Sequence, residues 1–396
     1  MSDFYITGQE KASRGTGHMR RTSPKVNVSP PVMRWLRESS GWSLEDVSGH
    51  LHVSVNRVSQ WEQGGQAPTL NEVKRLAKAY RRPLAAFFLV EPEEEQPLPR
   101  DFRRLPGGAR PLTKKTLLAI RKARNLQMIS ADLMENLDLT TGTDVAGARL
   151  TDDPEEVAVE ERTRLGIPVA EQRSWKDAYE GFRAWRDAIE ERNIRVFQFP
   201  MELEELRGCT LMDHTPNAIV LNSSDIIQAR TFTLLHEYGH ILLHEPALCT
   251  PDRPVIGETH EARVEQWCNR FAGAILMPPK DITEDFTRHG IDGVGRIANR
   301  YRVSLATVLT RLVTLNLIAQ ERYQAEMRKL QRNGAVSTEQ GGGGESSARK
   351  AQRERGEVFV SLVLENTRRG YITHNEALDY LGVKVKHLRE LTKPTP

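Results

Sequence analysis

The run Phe232-Thr233-Leu234-Leu235-His236-Glu237-Tyr238-Gly239-His240-Ile241-Leu242-Leu243 is mostly apolar, yet two histidines and a glutamate stand in its middle. No proline interrupts it, so it reads as one long helix from about Ser224 to His244. A helix this apolar must be buried, and burying two imidazoles and a carboxylate without a shared partner is costly. His236 and His240 are four residues apart and project from one helical face, where both can reach a single metal ion. Glu237 lies beside the first histidine. It can touch a water at the ion without ligating the ion, take the water's proton and pass it to a leaving amine. Two solvated surface histidines are the bland alternative, and the apolar flanks weigh against it.

A third protein ligand is needed. A second helix is expected from about Thr259 to Leu276, and Glu265 on it is well placed to complete a His, His, Glu site. Glu258, His260, Glu261 and Cys268 compete for that place. Asn269, one turn after Glu265, is expected to support a ligand by hydrogen bonding. His244 is expected to do the same or to anchor a loop, because a fourth protein ligand would close the site. Zinc suits imidazole and carboxylate donors and leaves an open position, and manganese would accept the same ligands. Tyr238, His260 and Arg270 all remain open as the group that stabilises an oxyanion.

The chain has 396 residues, enough for two or three domains, with 38% apolar and 28% charged residues. No apolar stretch is long enough to span a membrane, and the first 25 residues are polar with no apolar signal region. Three sparse cysteines do not suggest a disulfide framework, so a cytoplasmic setting is expected. A net charge of +3 is too small to argue for nucleic acid by itself.

The expected fold class is α+β, mainly α with a small sheet. Residues 1–28 read as a disordered arm and 29–90 as an all-α helix-turn-helix domain. A proline-rich acidic linker, 91–112, leads to a peptidase core at 113–285. Strands are expected at Ile194–Phe199, Cys209–Met212 and Ala218–Leu221, with Cys209–Met212 either a sheet edge open to a peptide or an ordinary buried strand. A helical unit at 286–332, a glycine-rich flexible linker at 333–356 and a helical tail at 357–396 complete the chain. Residues Ile297–Leu317 echo the N-terminal helix-turn-helix pattern and are expected to pack under the core.

In the N-terminal domain, Ser43 and Ser54 stand as N-caps on either side of the turn His52-Val53-Ser54. Val47, Leu51, Val53, Val58 and Trp61 form the expected core. The helix from Val55 to Gln63 would present Asn56, Arg57, Ser59 and Gln60 to base edges, with Arg34, Arg37, Lys74 and Arg75 toward phosphates. A homodimer on a two-fold operator in double-stranded DNA is the expected arrangement.

Two family resemblances follow from these residues. Leu235 to His244 together with Val264-Glu265-Gln266-Trp267-Cys268-Asn269-Arg270-Phe271-Ala272 resembles the ImmA/IrrE metallopeptidases. Ile219-Val220-Leu221-Asn222 and Ile275-Leu276-Met277-Pro278 match as well. That resemblance implies a zincin-like core, zinc held by His236, His240 and Glu265, and Glu237 as the catalytic base. Val58-Ser59-Gln60-Trp61-Glu62-Gln63-Gly64, followed by Pro68, resembles the Xre/Cro repressors and implies a structural role for Glu62. Together they imply a zinc endopeptidase that cleaves a repressor or antitoxin under stress or phage attack. A DNA-binding regulator with a regulatory or silent metal site is the competing reading, and self-processing at the glycine run 341–344 is a third.

Overall fold

A computed structural model describes residues 23–93, 112–246, 248–249, 258–332 and 345–391. The chain divides into two compact units, one ending at Glu93 and one starting at Glu94. Most of the linker expected at 91–112, and the glycine run 341–344, lie outside the described residues.

The first unit is built from Pro30–Ser39 (α1), Leu44–Leu51 (α2), Val55–Gln63 (α3) and Leu70–Tyr80 (α4), followed by a 3-10 turn at Leu84–Phe88. Ser43 closes a capping box with Asp46 at the start of α2. Ser54 caps α3 by accepting from the Arg57 amide, and α3 ends where Gly64 takes a left-handed φ of 78°. Val47, Leu51, Val58 and Trp61 are buried as expected, with Leu36, Tyr80 and Phe87 beside them, and Val53 packs at the margin. The disordered arm needs correction at its end. Val26 donates to the Pro68 carbonyl and Leu70 to that of Pro24, while Val28 is buried, so residues 23–28 are part of this domain.

The second unit begins with Lys114–Glu135 (α5), Pro154–Arg164 (α6), Val169–Ser174 (α7) and Ala178–Glu190 (α8). Three strands follow, Arg195–Phe199 (β1), Gly208–Leu211 (β2) and Ala218–Asn222 (β3), then the helix Ile227–Leu242 (α9) and the short strand Leu248–Cys249 (β4). The sheet order is β1-β3-β2-β4, with β1 parallel to β3 and the other pairs antiparallel. β2 is buried throughout, the second of the two expectations for it, and its start is covered on the side away from β3. Gly208 and Cys209 are paired with β4 on the side away from β3.

Side chains alternate across the sheet, as the two-residue strand period requires. Val196, Ile219 and Leu221 face a core shared with α8 and α9. Phe197, Phe199, Cys209, Leu211, Ala218 and Val220 face a second core. That second core contains α5 and the C-terminal helices Ser347–Arg355, Glu357–Arg369, His374–Leu381 and Val385–Leu391. The flexible linker expected at 333–356 is thus corrected over its last third, where Ser347–Arg355 is a helix with Ala348 and Ala351 buried.

Between these segments run His260–Leu276 (α10), Pro279–His289 (α11), Val294–Tyr301 (α12), Leu305–Thr314 (α13) and Gln320–Arg332 (α14). α12 and α13 repeat the α2–α3 geometry: a left-handed residue (Arg302, φ 58°; His52, φ 59°), a valine, then a serine N-cap. The face of α13 bearing Val308 and Leu312 is buried in the core under the sheet. Arg311 on it grips both carboxylate oxygens of Glu155 at 2.5 and 2.6 Å. This unit packs under the core, as expected for it.

Candidate metal centre

α9 is buried from Thr233 to Leu242 without a break, so it runs through the interior with the sheet on one side and α10 on another. Gly239 sets the spacing to α10. A Cβ there would lie 3.2 Å from Cys268 Sγ and 3.3 Å from Phe271 Cδ1, so a larger residue would push the helices apart. α10 starts at Thr259, whose hydroxyl accepts from the Ala262 amide. α6 braces both helices from behind: Tyr238 donates to Glu161 at 2.6 Å, and Trp267 Nε1 donates to the Asp152 carbonyl at 2.8 Å.

This packing brings His236, His240 and Glu265 together, all three buried. The histidine Nε2 atoms are 3.2 Å apart. Glu265 lies 3.4 Å from His236 Nε2 and 3.2 Å from His240 Nε2. Ligands about 2.1 Å from a tetrahedral ion are about 3.4 Å from each other, so the three separations suit one zinc-sized ion. Burial opposes charge on Glu265, but the His236 and His240 rings outweigh it and hold the carboxyl well below the usual range. The donor set and its spacing both fit zinc.

Glu237 points from the same helix toward β2. Thr210 donates to its Oε2 at 2.5 Å, and both residues are fully buried. Nothing in the sequence marked Thr210, because its partner is 27 positions away and the contact exists only once β2 docks on α9. Cys268 was weighed only as a rival ligand. It lies instead against His240, within hydrogen-bond reach of the ring, and burial pushes its thiol up.

Asn269 and His244, expected as supporting residues, are placed differently from each other. Asn269 is half-buried and, among the described residues, no hydrogen bond joins it to either histidine. His244 is exposed beyond the end of α9, with its Nε2 against Gly147, which leaves it a loop-anchoring place and none in the pocket. Of the other rival ligands, Glu258 and His260 are exposed, and His260 pairs with Glu245 at 2.9 Å. Among the oxyanion candidates, Tyr238 is engaged by Glu161, and Arg270 is exposed, 4.0 Å from Asp153.

In the first unit, Asn56 is exposed near the start of α3, and Ser59 and Gln60 are half-buried. Arg57 is drawn back, 2.9 Å from Glu72 and over the Trp61 ring. Two of the arginines expected toward phosphates also make contacts within the domain. Arg37 is held by Glu62 and the Trp42 carbonyl, and Arg75 donates to the carbonyls of His50 and Leu51 at the end of α2. Arg34 and Lys74 remain exposed.

The class is set by both units. Residues 32–87 match the helix-turn-helix domain family, and residues 189–313 match the IrrE N-terminal-like domain family. The chain therefore carries a helix-turn-helix domain ahead of an IrrE N-terminal-like domain, in the order its motifs implied. Over 101 residues it is 38% identical to the radiation response metalloprotease IrrE of Deinococcus radiodurans. That stretch is 24% of this chain and 31% of the relative, so less than a third of that protein's length is matched. α5, α6, α7 and the C-terminal helices lie outside the matched domain.

Proposed function

We propose that this protein is a zinc-dependent endopeptidase whose helix-turn-helix domain binds operator DNA and whose substrate is a DNA-bound repressor or antitoxin. The observation that carries the reading is the mutual spacing of the three buried donors, 3.2, 3.2 and 3.4 Å, with Glu237 beside them. The two imidazole Nε2 atoms face each other and the two oxygens of one carboxylate, and a shared cation engages all three groups at once.

His236, His240 and Glu265 would hold the ion. When bound, zinc supplies a Lewis acid that polarises the scissile carbonyl and brings water close to neutral ionisation. Glu237 takes a proton from the attacking water and delivers it to the departing amine, so the base ends the cycle as it began. The surrounding apolar core, with Leu235, Val264 and Phe271 fully buried, keeps bulk water away from these groups. A base is superfluous in a purely structural metal site, which favours hydrolysis over a regulatory role for the ion.

N-terminal profiling by mass spectrometry tests this in cells that express either the wild-type protein or Glu237→Gln. New protein N-termini are expected with wild type and absent with Glu237→Gln. Identical sets of termini would overturn the peptidase reading and leave a DNA-binding regulator with a silent metal site.

A further inference from the structure

We propose that Thr210 is a positioning residue for the general base, and that its hydroxyl fixes the orientation of the Glu237 carboxylate. The inference rests on the peptidase reading of the site. β2 presents Gly208 and Thr210 to α9, while Cys209 and Leu211 face the second core. Thr210 pairs with Ile219 in the ladder with β3, and Gly208 and Cys209 are paired on both sides, so the strand beside the base has little freedom.

The Thr210 to Glu237 bond of 2.5 Å lies at the short end of hydroxyl-to-carboxylate bonds, which are charge-assisted and strong. Threonine is stiff at χ1, so its hydroxyl direction is set by the strand rather than by the glutamate. With Oε2 held in this way, Oε1 is turned toward Gly208. A Cβ at Gly208 would stand 3.0 Å from Oε1 and 2.6 Å from Thr233 Cγ2. The glycine leaves room for the carboxylate, and the threonine determines its orientation. A serine would keep the donor, whereas valine would keep the shape and lose it.

The test uses the full chain loaded with cobalt(II), whose visible absorption reports what enters the open coordination position. Acetohydroxamate is the probe, because a chelating hydroxamate donates its N–H or O–H to a correctly aimed carboxylate. Wild type, Thr210→Val, Thr210→Ser and Glu237→Gln are titrated with it. Thr210→Val is expected to bind cobalt at the wild-type stoichiometry and to lose about tenfold in acetohydroxamate affinity. Glu237→Gln should lose at least as much, and Thr210→Ser should stay close to wild type. Thr210→Ala, which cannot overpack, should repeat the loss and serves if the valine variant does not fold. Wild-type affinity in Thr210→Val with a loss in Glu237→Gln would overturn the inference and leave the base intact. A loss in Thr210→Ser as large as that in Thr210→Val would also overturn it, by making the methyl group responsible. Wild-type affinity in Glu237→Gln would bring down the base assignment itself.

Discussion

Glu62 lies in α3 with 7% of its surface exposed, and Arg37 reaches both of its carboxylate oxygens, at 2.6 and 3.0 Å. The bidentate pair joins α1 to α3 and spends on structure a charge that the sequence offered to phosphate. Arg34, 3.8 Å from the same carboxylate and 56% exposed, is too solvated to replace Arg37. Arg37→Ala is expected to destabilise the helix-turn-helix unit by about 3 kcal/mol, because it leaves a buried carboxylate without its main partner. Urea unfolding checks this, and a change below about 0.5 kcal/mol would contradict it. Legibility at this scale follows distance along the chain. His236, Glu237 and His240 were readable because one helical turn fixes their geometry, whereas Glu265 stood among rivals on the second helix until the family resemblance singled it out. Thr210 was not, since its hydrogen bond to Glu237 exists only once tertiary packing brings β2 against α9.

At the scale of elements, both faces of the sheet are covered, and the far face is covered partly by the C-terminal helices. Phe359 is fully buried and packs edge-on against Phe197 of β1, ring centres 6.0 Å apart. Asn366 donates from the same helix to the Leu133 carbonyl of α5. Gly356, at a left-handed φ of 85°, passes so close to Glu190 that no side chain would fit there. Phe359→Ala is expected to cost about 3–5 kcal/mol. It should also speed hydrogen exchange at the Phe197 and Phe199 amides, and unchanged protection there would count against this role. The expected strands and the two long helices at 227–242 and 260–276 were legible from their periods. The helix Ser347–Arg355 was not: it lies beside the glycine run, its sequence is strongly polar, and its two buried alanines give only a weak apolar signal. β4 was missed because two residues cannot display a strand period.

At the scale of the molecule, the division into two units at Glu93 was legible from the prolines and acidic residues at 91–99, which no regular element could absorb. The extent of the second unit was harder to read. Its core draws on residues from α5 to Leu391, so the boundaries expected at 285 and 332 separate parts that share hydrophobic cores. The proposed peptidase activity needs a metal ion, and among the described residues His236, His240 and Glu265 are grouped so that they could hold one. The most direct measurement is the zinc content of the purified full chain by elemental analysis, beside His236→Ala and Glu265→Ala. About one zinc per wild-type chain, lost in both variants, is predicted. A wild-type protein that takes up no zinc, or a Glu265→Ala variant that keeps its full share, would contradict the account.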